Sequence, residues 1–121
     1  MPRYRRVPLP LPDVEVEPFV TAEEAWFWFI RAQQARDDGA HIERGRAEVP
    51  RPCEPDDIYR AVKSLAEKKT IGRRHIEVLH VYGTLLRAPD KRCVEETRPF
   101  VFWDEALDRL TTVLRIKEII E

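Results

Sequence analysis

Between Arg51 and Gly83 the chain carries two short apolar-periodic segments with only a few residues between them. They are Arg51-Pro-Cys-Glu-Pro-Asp-Asp-Ile-Tyr-Arg-Ala-Val-Lys-Ser-Leu and His75-Ile-Glu-Val-Leu-His-Val-Tyr-Gly83. That short link constrains the rest: two helices so joined are antiparallel or crossed neighbours, and other segments must supply the walls of their core. Glu54-Pro55-Asp56-Asp57 starts the first helix, with proline in the first turn and acids where the helix dipole favours them. Ile58, Ala61, Val62 and Leu65 fall at i, i+3, i+4 and i+7 and form its buried stripe, so Tyr59, Arg60 and Lys63 face outward. After Lys69-Thr-Ile-Gly72 the second helix carries Ile76, Leu79 and Tyr82 on one face. It is expected to end at Gly83, a residue suited to the position just past a helix.

Flanking segments complete a helical fold. Thr21-Ala-Glu-Glu24 is a capping box, and Asp38-Gly39 closes the helix it opens. Within that helix Trp26, Phe27, Trp28, Phe29 and Ile30 are apolar on every side, as expected of a central helix wrapped by the others. Residues 84–98 read as a long loop or a short helix within one, since Pro89-Asp90 is a turn signal. Pro99 is expected to open the last helix, with Trp103, Leu107, Leu110 and Leu114 in one stripe and Ala106, Val113, Ile116 and Ile120 in a second. Only four glycines against 36% charged residues leave little room for strands. The expected fold is therefore all-α: a small helical domain of four or more helices over residues 20–121, with a helix-turn-helix-like core. Residues 1–19 hold half of the ten prolines and form an extended Pro-rich N-terminal arm.

A net charge of −1 draws the chain to no polyanion as a whole. Charge is segregated, however: Arg3, Arg5 and Arg6 form one basic patch, and Lys63, Lys68, Lys69, Arg73 and Arg74 a denser one. Two cysteines, Cys53 and Cys93, are too few for a disulfide framework, and with no apolar run of membrane-spanning length they point to free thiols in the cytoplasm. Zinc held by Cys53, Cys93, His75 and His80 is disfavoured, because the two histidines lie about 140° apart on a helix. No metal or cofactor is implied. The adjacent pairs Asp56-Asp57, Glu95-Glu96 and Asp104-Glu105 point apart on a helix, and neither a catalytic triad nor a phosphate-cradling glycine loop is present, so no enzyme is expected.

The order of features resembles a known family. An aromatic Trp26-Phe-Trp28 helix is followed by Arg51-Pro52-Cys53 with Asp56-Asp57, then Ala61 and Leu65, then Val78-Leu79, Tyr82 and Gly83. This is similar to the Q-type transcription antiterminators of lambdoid phages, in the branch without zinc fingers, and to the small cellular relatives that activate gene-transfer-agent clusters. By order of elements the resemblance covers roughly residues 22–121, with its specific matches in 51–83. His75 to Gly83 is also similar to the first helix of the helix-turn-helix in sigma-factor region 4. Where that module places a recognition helix, this chain has Leu85-Leu-Arg-Ala-Pro-Asp-Lys-Arg-Cys93, and Pro89 opposes a regular helix there. The last helix is the alternative candidate for that role.

The resemblance implies a transcription antitermination factor. Such a factor loads on promoter-proximal DNA and RNA polymerase, travels at the RNA exit channel, and suppresses termination across a phage-like or gene-transfer-agent operon. Nus-type elongation factors and nascent RNA are further partners of that reading. The expected nucleic-acid contacts are Arg60, Lys63, Lys68, Lys69, Arg73 and Arg74, with Lys91, Arg92 and Arg98 from the loop region. Trp26 and Trp28 are expected to meet a protein partner. Two other functions fit the same residues: a promoter-bound helix-turn-helix activator, and a protein-interaction module that binds no nucleic acid.

Overall fold

Helix starts follow the sequence signals to within two residues, whereas most helix ends do not. A computed structural model describes residues 16–39 and 49–121. Its elements are α1 (Ala22–Asp37), α2 (Pro55–Glu67), α3 (Arg73–Leu85) and α4 (Thr97–Ile116), with a 3₁₀ turn at Val94–Glu96 leading into α4. The domain is all-α, and among the described residues the one β-bridge pairs Phe19 with Ile120.

Three of the starts are capped by side chains. The Thr21 hydroxyl accepts the Glu24 N–H at 3.1 Å, while the Glu24 carboxylate reaches back to the Val20 N–H at 2.9 Å. Asp57 accepts the Glu54 N–H at 2.9 Å, and His75 Nδ1 accepts the Gly72 N–H at 2.9 Å. Each bond satisfies an amide that the first turn leaves without a partner. Pro99 sits in the first turn of α4, where a missing N–H costs nothing.

Every helix is followed by a residue with positive φ, yet only Gly39 after α1 is a glycine. Lys69 (φ 64°), Leu86 (φ 57°) and Glu118 (φ 63°) take the left-handed conformation after α2, α3 and α4. In each case the next residue bonds back to the last turn: Thr70 N–H to Leu65 O at 2.9 Å, Arg87 N–H to Tyr82 O at 3.2 Å, and Ile119 N–H to Leu114 O at 2.8 Å. These are Schellman endings, which satisfy carbonyls the helix would otherwise orphan.

Gly83 therefore does not end α3, contrary to the sequence expectation; it lies inside the helix, two residues before its end. Its role is steric. A Cβ there would stand 2.7 Å from Trp26 Nε1 and 3.1 Å from Ile30, so the bare Cα is what lets α3 lie against α1. At the same contact Trp26 Nε1 donates to the Leu79 carbonyl at 3.0 Å.

The α2 stripe of Ile58, Ala61, Val62 and Leu65 is buried as expected. α1 and α4 each pack on the other three helices. The α1 aromatics spread over the core: Phe27 meets Trp103, Trp28 meets Phe19, and Phe29 stacks on Tyr59. The expected second stripe of α4 needs correction, because the helix stops at Ile116, whose side chain is 77% exposed. The left-handed Glu118 turns the chain inward, and Ile119 and Ile120 are buried outside the helix.

Phe19 also departs from its expected place in the arm. It is fully buried, donates its N–H to Ile119 O at 3.0 Å and accepts that of Glu121 at 2.9 Å, so the packed body includes it. Residues 1–15 of the expected arm, and 40–48 of the link before α2, lie outside the described residues.

Candidate nucleic-acid interface

The elbow between α2 and α3 is five residues long, Lys68 to Gly72, and its Ile71 is buried. That inward anchor fixes the elbow and leaves Lys68 and Lys69 exposed on its outside. Arg73 and Arg74 follow in the first turn of α3, both exposed. Arg98, in the first turn of α4, joins them from a distant part of the sequence. The three arginines border one cleft of about 530 Å³ whose remaining walls are Glu77, Val78, Pro99 and Phe102. Glu77 lies 3.8 Å from Arg73 in a pair exposed on both sides, an arrangement worth little in water.

The other expected contacts sit elsewhere. Arg60 and Lys63 border a larger groove of about 970 Å³ between α2 and α3, floored by Trp26, Phe29 and Leu79, and Arg60 is already paired with Asp57 at 2.9 Å. Lys91 and Arg92 belong to the loop before α4, with Lys91 Nζ 5.8 Å from the Phe100 ring centre and Arg92 3.5 Å from Asp90. The nine expected residues thus divide among the elbow with its cleft, the groove, and the loop.

Trp26 does not face a partner. It is 5% exposed and bonded to α3, so its indole is a core group. Trp28 is half-buried with its ring 5.0 Å from Phe19. The aromatic run fills the domain interior because α1 has neighbours on three sides.

Eleven residues, 86–96, separate α3 from α4, so no second helix follows α3 across a tight turn. α4 is a poor substitute for a recognition helix: its exposed residues include Asp104, Glu105 and Asp108 beside Arg98, Arg109 and Arg115, and acids facing phosphates repel.

Sequence reasoning missed a clasp that shapes the loop. Arg87 holds Glu96 with two bonds of 2.9 and 3.2 Å, and Glu96 also accepts the Asp90 N–H at 2.7 Å. The guanidinium first, and then that backbone donor, hold the Glu96 carboxyl down at about 2. Arg87 also lies 5.4 Å from the Tyr82 ring centre and is committed to structure. Its partner is nine residues away across a turn, a spacing with no sequence signature.

His75 and the two cysteines also have structural engagements. His75 bonds Gly72 through Nδ1 and Glu105 Oε1 through Nε2 at 2.9 Å, which fits the tautomer with its proton on Nε2. Cys53 is buried, and burial first, then Asp57 and Glu54, push its thiol up to about 12. Cys93 donates to Glu95 at 3.2 Å. Among the described residues no three His, Cys, Asp or Glu side chains are gathered to hold a metal ion, and no helix is long and apolar enough to cross a membrane. No protein-family model, curated protein or solved structure matches this chain.

Proposed function

We propose that this chain is a non-enzymatic nucleic-acid-binding factor of transcription, working in the cytoplasm through the basic elbow between α2 and α3. The observation that carries the reading is the convergence of Arg98 on Arg73 and Arg74, beside the exposed Lys68 and Lys69. Such a surface meets phosphates; it sets affinity and position but reads no sequence. The step to antitermination, with loading on promoter-proximal DNA and RNA polymerase and travel with it, rests on the resemblance described above.

The test is a gel shift of wild type against Lys69→Glu/Arg73→Glu across a salt series. Wild-type affinity falls steeply with salt because condensed counterions are released, and the double reversal abolishes binding. Binding that survives the reversal would falsify the assignment of the elbow. Chromatin immunoprecipitation alongside RNA polymerase then separates a travelling factor, with signal extending through a long operon, from an activator confined to a promoter peak.

A second reading has its own support. The groove of about 970 Å³ is lined by the partly exposed Tyr59, Ala66 and Ile76 together with polar groups such as Gln33, Gln34 and Lys63, a mixture that suits a protein partner. A gel shift that is absent, or insensitive to salt, would favour it.

A further inference from the structure

The first turns of α3 and α4 run against the electrostatics of helix starts. The positive end of a helix dipole favours acids, and α1 and α2 conform with Glu23 and Glu24, and with Asp56 and Asp57. α3 and α4 have no acid in the first turn and carry Arg73, Arg74 and Arg98 there instead; the Glu96 carboxylate at the N-cap of α4 is already engaged by Arg87. Cations at a positive helix end are mutually unfavourable, and here two such ends border one cleft. Among the described residues neither Arg74 nor Arg98 has an ion-pair partner. A bound anion would relieve both the arginines and the dipoles.

The cleft also has an apolar side. Val78, Pro99 and Phe102 line it together with the three arginines and Glu77. Phe102 meets the His75 ring edge-on at 5.2 Å, and His75 is itself held by Gly72 and Glu105, so the aromatic platform is pinned before any ligand arrives.

We propose that this cleft binds one unpaired nucleotide of a single-stranded nucleic acid, with its phosphate among Arg73, Arg74 and Arg98 and its base against Phe102. The inference rests on the nucleic-acid reading and specifies the strand state of the ligand. A volume of about 530 Å³ suits a nucleotide-sized group. A duplex offers phosphates to the arginines but keeps its bases stacked inside, so the apolar wall would meet nothing. An unpaired base has a free face, and stacking on an aromatic ring adds to phosphate attraction without sequence preference.

Fluorescence anisotropy on the full chain tests this, using labelled oligouridylate and oligothymidylate of about ten nucleotides and a duplex of about twenty base pairs at equal salt. Single strands bind at least about tenfold more tightly than duplex. Phe102→Leu keeps the wall apolar but removes the aromatic face; it weakens single-strand binding about tenfold and leaves duplex binding unchanged. Arg98→Glu, at an exposed position without an ion-pair partner among the described residues, removes the single-strand preference and decides the matter if Phe102→Leu does not fold. Equal affinity for both strand states, or wild-type single-strand binding by folded Phe102→Leu and Arg98→Glu, overturns the inference. If duplex binds and responds to Lys69→Glu/Arg73→Glu, only the single-strand inference falls; if no nucleic acid binds, the broader reading falls with it.

Discussion

Gly83 and Trp26 decide how closely α3 lies on α1. In an ordinary helix interior, alanine for glycine gains about 0.5–1 kcal/mol through backbone entropy. Here the added methyl meets a rigid indole nitrogen at 2.7 Å, with Ile30 behind it, so the sign reverses. Gly83→Ala is expected to cost about 1–3 kcal/mol, read from chemical denaturation. The two buried indoles separate on a second residue-scale comparison. Trp26 donates to Leu79, whereas the buried Trp103 Nε1 has no partner. An unsatisfied buried donor costs about 1–3 kcal/mol, so removing it offsets part of the volume lost. Trp103→Phe should therefore destabilise less than Trp26→Phe, by about 1 kcal/mol or more in matched denaturation curves.

At the scale of elements, three of the four helices end on a non-glycine residue in the left-handed region, which costs about 1–2 kcal/mol at each such residue. Glycine at Lys69 or Glu118, both exposed, removes that strain but adds unfolded-state entropy. Each substitution is expected to raise stability by about 0.5–1 kcal/mol, measured as a higher denaturant midpoint at constant slope. The loop before α4 responds instead to acid. Glu96 has its pKa lowered from an ordinary carboxylate value to about 2, so its contribution is full above the unfolded value and is lost as pH falls towards 2. Glu96→Gln should lower the melting temperature at pH 7, and the wild-type and variant curves should converge as pH approaches 2. Local signals made much of this legible from sequence: Thr21 with Glu24, Pro55 with two acids, and the Ile58–Leu65 period all act within one or two turns. The ends at Leu86 and Glu118 were not legible, because it is inward packing past the helix, as of Ile119 and Ile120, that forces the turn. Nor was the cleft, since Arg98 meets Arg73 and Arg74 only once α4 has packed on α3.

For the whole molecule, the formal charge of −1 makes placement of charge the decisive variable. Arg73→Glu puts an acid at the start of α3, where the dipole favours it, but it also replaces a solvated pair with Glu77 by a like-charge i,i+4 contact, so the two small effects offset. The Lys69→Glu/Arg73→Glu protein should thus keep a nearly unchanged melting temperature while losing nucleic acid, which separates a binding surface from a merely stabilising one. Folding order is governed elsewhere, by the seam of Phe19 and Ile120. Its partners stand about 100 positions apart, so closing that loop costs about 4 kcal/mol of chain entropy. Burial of Phe19, Ile119 and Ile120 returns about 1.5–3 kcal/mol for each side chain, enough to outweigh the closure once the helices are assembled, but not before. The seam is then expected to behave as a latch that shuts after α1 and α4 have met, and faster amide exchange at Phe19 and Glu121 than in the middle of α4 should show that it opens first.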